Sequence, residues 1–171
     1  MTPFDFPILL TFWLLIALSL RLPHGWQRLR RKPAADWLLD ICGLAVQGIV
    51  IPALQMGLLY RALSPLLPQW SNSIPVSPVV GFLICTVFVD YAYYWNHRWL
   101  HGPAWPIHKV HHTVTQLDVL SSSRNSLWSS FFILYMWILP LLLFLLNDSR
   151  GSLCGISLTA MLVLWRHSRL G

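Results

Sequence analysis

Residues 79–112 read VVGFLICTVFVDYAYYWNHRWLHGPAWPIHKVHH. The run is uncharged until Asp90, turns aromatic over Tyr91–Trp95, and ends in five histidines between His97 and His112. Its three parts ask for three surroundings. The apolar part suits hydrocarbon. Rings with polar edges suit a membrane–water boundary, and imidazoles suit the wetter side of it. The stretch therefore reads as a helix that leaves lipid at its aromatic end and carries histidines just beyond.

Composition agrees. Hydrophobic residues make up 56% of the 171 and charged residues 11%, with a mean hydropathy of +0.56. Soluble domains carry about 25% charged residues. The chain has no glutamate, and its six acids are all aspartates. A soluble domain with an oversized core is excluded on these grounds. The net charge of +6 does not signal nucleic acid, because five of the twelve basic residues fall in one run, Arg21 to Lys32, between two apolar stretches. Such a cluster beside a membrane segment reads as a topology signal and a contact for anionic lipid. No nucleic-acid motif accompanies it.

Four more apolar stretches flank the first: about Phe6–Leu20, Trp37–Leu63, Leu127–Leu146 and Ser152–Trp165. A perpendicular span needs roughly 20 residues. No basic segment precedes Phe6 and no small-residue cleavage site follows Leu20, so an anchor is expected there rather than a cleaved leader. Trp37–Leu63 contains Asp40 and Pro52, which predicts a kink or a re-entrant segment. Ser64–Pro78 is an uncharged loop with four prolines. If every stretch crosses and Arg21–Asp36 is cytoplasmic, ten basic residues fall inside and two, Arg61 and Arg150, outside. That asymmetry predicts a five-crossing, multi-pass integral membrane protein with its histidine cluster on the cytoplasmic side. The fold class expected is all-α: a polytopic transmembrane helical bundle with a histidine-rich helical cap. Residues 1–171 are read as one membrane domain, with N-terminal helices over 1–78 and the histidine-bearing region over 79–171. Cys42, Cys85 and Cys154 stand singly in apolar stretches and read as small buried hydrophobes.

A sixteen-residue window at the chain's average would hold fewer than one of its seven histidines; His97–His112 holds five. They form HRWLH (His97, His101) and, after six residues, HKVHH (His108, His111, His112). Positions i and i+4 share a helix face, so His97 and His101 point one way, and His108 shares a face with His111 and His112. Gly102-Pro103 breaks the chain between the pairs, and Pro106 adds a second break. The reading is helix, turn, helix with two converging histidine faces. Neutral imidazole is the commonest metal ligand, and five or six rings exceed the need of one tetrahedral ion. The count favours two ions; imidazole alone leaves Zn, Cu, Fe and Ni open. A proton path and a haem pair fit the spacing less well. His24 lacks a histidine neighbour in sequence and reads as structural.

The run DYAYYWNHRWLHGPAWPIHKVHHTVTQLDVLSSSRNSLW, Asp90 to Trp128, resembles the fatty acid hydroxylase/sterol desaturase superfamily of membrane enzymes. That family shows HxxxH, then HxxHH, then a late third box. The first two correspond to His97/His101 and His108/His111/His112, and the likeness runs from about Val79 to His167. LWRHS around His167 is similar to the stretch where the family carries a further histidine. The resemblance implies a non-haem di-iron site, with Zn as a possible substitute, that uses O2 and an electron donor protein to hydroxylate or desaturate a membrane lipid. The C–H bond attacked would belong to a fatty acyl chain, a sterol-like ring or another lipid. It implies metal ligands His97, His101, His108, His111, His112 and His167, with Asp90, Asp118, Arg124 and Asn125 as candidates to support them. It names neither the lipid, the electron donor nor the oligomeric state. The third HxxHH does not occur before Gly171. Truncation, an abandoned site or completion by another chain each fit, and truncation is favoured because every earlier part is intact. The chain alone is then expected to bind metal weakly and not to turn over. The rival expectation is a non-catalytic membrane fragment or relic that binds metal weakly or only packs with a partner.

Overall fold

A computed structural model of the chain describes residues 5–168 and Leu170. Arg169, counted above among the basic residues of the tail, lies outside the described residues. The described chain is helical, and its only strand-like pairing is a single bridge between Ile74 and Leu146. Helix α1 is Asp5–Arg21 and α2 is Gly25–Arg31. α3 runs Ala34–Leu66 and α4 Pro78–Leu100. α5 is Trp105–His108, α6 Leu127–Phe132, α7 Tyr135–Leu145 and α8 Arg150–His167. α3 and α4 are long and apolar enough to cross a membrane, and α1 with α2, bent by 102°, makes a third candidate span. His24 occupies that corner with φ 62°, a left-handed conformation, and its Nδ1 lies 3.0 Å from Gln27 Oε1.

The structure departs from the sequence reading in three helices. α3 is unbroken. Its proline, Pro52, sits in Ile51–Ala53 between two segments of wide, π-type turn, Val46–Val50 and Leu54–Tyr60. Wider turns accommodate the missing N–H and the ring bulk within one continuous helix. The fourth apolar stretch, by contrast, is broken at Ile133–Leu134. Asn96 plugs the break: its Nδ2 donates to the Phe132 carbonyl and its Oδ1 accepts from Leu134 N–H, each at 3.0 Å. The second histidine box is one α-turn followed by a 3-10 turn, Lys109–His112. Pro106 lies in the first turn of α5, where a missing N–H costs nothing, and so starts the helix instead of breaking it.

Polarity is arranged opposite to a soluble protein. Large apolar side chains face outward along the helices, with Trp13, Ile49, Val79, Phe88 and Trp128 each more than 60% exposed. Lys32, Asp40, Gln55, Arg124, Ser129 and Ser130 are buried. An outside of this kind needs lipid around it, and polar groups inside must find one another. They do: Gln47 on α3 donates to Ser130 Oγ on α6, and Gln55 donates to the Tyr135 carbonyl at 2.9 Å. Two corrections follow. Cys85 is buried as expected, but Cys42 and Cys154 face outward with the other apolar side chains. Lys32 closes the basic run yet is buried, paired to Asp40 and Asp118 instead of facing solvent.

α8 packs on the first half of α4 and on α1. The contact is made by small residues, Gly151, Ser152 and Gly155 in GSLCG, against Pro78, Gly81 and Cys85. A Cβ on Gly151 would lie 1.7 Å from the Pro78 carbonyl oxygen, so only glycine permits this approach. α7 packs against the 54–60 part of α3. Segments 71–77 and 144–147 pair at one end: Asn72 N–H donates to Phe144 O, and Asn147 N–H to Ile74 O. At the other end Lys32, Asp36 and Asp40 meet Thr115, Asp118 and Arg124.

That second end supplies a stability test. Asp40 is fully buried between Lys32 and Arg124, both also buried. Removing the carboxylate takes one partner from each of two buried cations, leaving Lys32 to Asp118 and Arg124 to Asp36, which costs up to about 3–5 kcal/mol. Asp40→Ala should lower unfolding free energy in detergent by that order. Asp148→Ala, which breaks a pair with the exposed Arg150, should leave it unchanged.

Candidate metal centre

The last turn of α4 presents His97, and His101 follows at its end; α5 and the 3-10 turn after it present His108, His111 and His112. Gly102 to Ala104 reverse the chain between them, so the two boxes face each other. Ligand atoms of His97, His101 and His108 lie within 4.8 Å of one another. His101 Nε2 is 3.0 Å from His97 Nε2. The ring of His112 is centred 4.5 Å from that of His101, and His111 lies 5.1 Å from His112. His167, at the end of α8, joins from the other side with its ring 5.6 Å from His111. All six histidines singled out in the sequence thus meet in one continuous cluster, while His24 pairs only with Gln27.

Three of the six rings have an outer nitrogen held. His108 Nδ1 lies 2.9 Å from Ser129 Oγ. His111 Nδ1–H donates to the Arg124 carbonyl at 3.0 Å, and His167 Nδ1–H to the Val163 carbonyl at 2.9 Å. A carbonyl accepts only, so in those two rings the proton sits on Nδ1 and Nε2 keeps its lone pair. His97 Nδ1 makes a long contact, 3.5 Å, with Tyr93 Oη. His108 Nε2 is buried without a hydrogen-bond partner among the described residues. A buried imidazole nitrogen left bare beside two other ring nitrogens is a donor set that could hold a metal ion, and the His108 ring already has its outer bond. Burial pushes His108 down to about 3, with the charges of His97, His111, His112 and His101 adding to it. Burial also lowers His111, against the opposing bond to the Arg124 carbonyl, and lowers His112. These three rings are therefore neutral near pH 7, the form that ligates.

The four supporting candidates separate. Arg124 touches the cluster through its carbonyl, whereas its guanidinium points away to Asp40 (Nε to Oδ1, 2.7 Å) and Asp36 (Nη1 to Oδ1, 3.2 Å). Asp90 accepts from Tyr135 Oη and, at 3.2 Å, from Thr159 Oγ1. It reaches His97 only by way of Tyr93, whose ring packs 5.1 Å from Tyr135 and 5.6 Å from His97. Asp118 pairs with Lys32 and caps Ser121 N–H, without touching a histidine. Asn125 caps Ser126 N–H. Ser129, Tyr93 and the Val163 carbonyl were not singled out in the sequence. Ser129 sits in an apolar stretch, and a polar residue there is the signal that pointed to it.

The class of the protein is thus an all-helical chain with two or three candidate membrane spans and a histidine cluster at one end. The fatty acid hydroxylase family model matches residues 82–170, just over half of the chain, and the chain belongs to that family. No curated protein and no solved structure matches it.

The buried rings set a pH dependence for the metal-free chain. An unfolded histidine titrates near 6.5, above the folded value of His108. As pH falls, the unfolded chain takes up the proton first. Stability is full above about pH 6.5 and is lost as pH drops through that value toward 3. The thermal midpoint of chelator-treated protein in detergent should fall on acidification from about pH 7 to about pH 4, and His108→Gln should flatten the slope. A midpoint that climbs with acid contradicts the assignment.

Proposed function

We propose that this chain is of the membrane lipid oxidoreductase type built on a non-haem di-iron site, and that these 171 residues alone do not turn over. With its ligand set complete, such a protein would oxidise a lipid C–H bond with O2 and electrons from a donor protein. The observation that supports it most is the convergence of both histidine boxes and His167 on one cluster in which three rings already have an outer nitrogen bonded, in a chain of the fatty acid hydroxylase family. His97, His101, His108, His111, His112 and His167 are the residues that would hold iron, with zinc as a substitute. When bound, iron supplies the O2 chemistry that side chains lack.

The protein's own part is orientation, exclusion of water and delivery of the lipid. Ser129, the Arg124 carbonyl and the Val163 carbonyl fix three rings. Trp95, Trp99 and Trp105 are all exposed, and Trp105 packs against His101 and His112, as an aromatic belt at the lipid boundary would. Hydroxylation inserts one oxygen atom of O2 and, with two electrons and two protons, reduces the other to water. Desaturation removes two hydrogens from the chain, and with the same two electrons and two protons reduces O2 to two waters. A fatty acyl chain, a sterol-like ring or another lipid fits this scheme.

The whole of 1–171 acts as one membrane domain on this reading, because α1 packs on α8 and the start of α3 packs on the 120–123 turn. All five apolar segments cross, with the histidine cap on the cytoplasmic side. The sidedness test is labelling. In a cysteine-free background, Arg30→Cys and Thr115→Cys should react only from the cytoplasm and Trp70→Cys only from outside. Labelling of position 115 from outside with position 70 protected sinks the topology.

Structural zinc takes four ligands per ion, so six imidazoles cannot fill two ions. These residues should hold one ion firmly and a second loosely. Elemental analysis of the 171-residue chain in detergent should give about one iron or zinc per chain that survives chelator, and no turnover. Two tightly held ions with product formation would refute the shortfall. The reaction itself is tested with any longer form that carries further ligands. Membranes with lipid extract, O2 and a reductant should yield an O2-dependent lipid product by mass spectrometry, and His101→Ala should abolish it. Absence of product there leaves a metal-binding membrane protein and no enzyme.

A further inference from the structure

The segment that follows the second histidine box is gripped from outside residues 82–170, the range of the family match. Asp36, Asp40 and Gly43 on α3 stand at i, i+4 and i+7, one face of the helix. Each meets the 113–124 segment. Asp36 Oδ2 accepts from Thr115 Oγ1 at 2.7 Å, while its Oδ1 and carbonyl accept from the two Nη atoms of Arg124, each at 3.2 Å. Asp40 Oδ1 accepts from Arg124 Nε at 2.7 Å. Arg124 Nη1 also donates to the Thr113 carbonyl at 3.3 Å, which ties the two ends of the segment together. Every arm of the guanidinium is thus spent on fixing its own backbone against α3.

Gly43 adds a backbone contact independent of those charges. A Cβ there would lie 2.4 Å from the Ser123 carbonyl oxygen and 2.9 Å from Arg124 Cα. Both are main-chain atoms and cannot swing aside. The Ser123–Arg124 peptide rests directly on α3, and the next carbonyl along, that of Arg124, is the acceptor for His111 Nδ1–H. The adjacent Asp118 turn is anchored to the same place through Lys32.

We propose that the Asp36–Asp40–Gly43 face of α3 is the positioning element for His111. It holds the Arg124 carbonyl where it fixes the His111 tautomer with Nδ1 protonated and Nε2 free to ligate. The inference rests on the proposed metal role of His111, and it assigns the N-terminal helices a part in the metal site. A role in stability alone would not select the protonation of one ring nitrogen.

Nitrogen-15 NMR of histidine-labelled, metal-free protein in detergent micelles reads the tautomer directly, with His111 assigned by the signal lost in His111→Gln. Wild type should show His111 protonated at Nδ1. Gly43→Ala should move part of that population to the Nε2–H form. It should also weaken Co2+ binding, followed by absorption spectroscopy, by about 10–100-fold, the usual effect of disturbing a ligand's outer bond. Gly48→Ala is the control, because that glycine lies on the same helix with open space around it, and it should bind Co2+ like wild type. Gly43→Ala combined with His111→Ala should bind no more weakly than His111→Ala alone, since the glycine acts through that ring. If Gly43→Ala does not fold, Arg124→Lys, which keeps the charge and loses the fork, should shift the tautomer the same way. A wild-type His111 protonated at Nε2 overturns the proposal, and so does a folded Gly43→Ala with unchanged tautomer and Co2+ affinity. A wild type that binds no Co2+ but shows the Gly43-dependent tautomer upholds the positioning and removes only the metal role.

Discussion

Asp40 carries no exposed surface, and its two oxygens are shared between Lys32 and Arg124. Much of the histidine end depends on this one buried carboxylate. A lone charge at that depth would cost many kcal/mol, and paired charges persist there only when further hydrogen bonds complete them. Asp36, Asp118 and Thr113 supply those bonds. The result is a joint between the N-terminal helices and the segment after the second histidine box, two regions about 80 residues apart in sequence. Apolar contact cannot give such a joint its register, because lipid tails compete equally for apolar surface. Directional ion pairs can.

The histidines themselves are organised by the same logic one step further in. Six imidazoles brought close would repel if protonated, and a bare ring nitrogen buried without a partner is costly. Both problems ease where a ring is anchored through Nδ1, as His108, His111 and His167 are. Ser129, Arg124 and Val163 lie on three different elements, α6, the segment before it, and α8. The cluster is therefore not a property of the two boxes alone. α8 reaches it only because Gly151, Ser152 and Gly155 let that helix approach α4 closely at the other end of the crossing.

The histidine site was legible in the sequence because spacing is a local property: HRWLH and HKVHH carry their facing in their own periodicity. The positions of α1, α4 and α8 were legible from unbroken apolar length, and that of α3 from its apolar length despite Asp40 and Pro52. The failures share a cause. Asp40 and Pro52 looked like interruptions because a one-dimensional reading could not supply the partners Lys32 and Arg124, or foresee that π-type turns would absorb the proline. The fourth stretch looked whole because its break is made by Asn96, more than 30 residues away. Among the supporting candidates, Arg124 reaches the cluster through its backbone, which no side-chain argument predicts, while Asp118 serves the joint instead.

The outward tryptophans bear on how a lipid would reach such a cluster. Trp95, Trp99 and Trp105 lie within the same short segment as the two boxes, and all are exposed. Pulling an acyl chain out of a bilayer into water costs about 0.8 kcal/mol for each methylene, so a site that required it would spend most of its binding energy on transfer. A cluster at the aromatic boundary avoids that cost on the proposed reading, because the chain can slide along the apolar outside of α4 and remain in hydrocarbon until it meets the rings. On the same proposed reading, polar reactants and protons would approach the exposed rings, His101 and His112, while His108 stays buried.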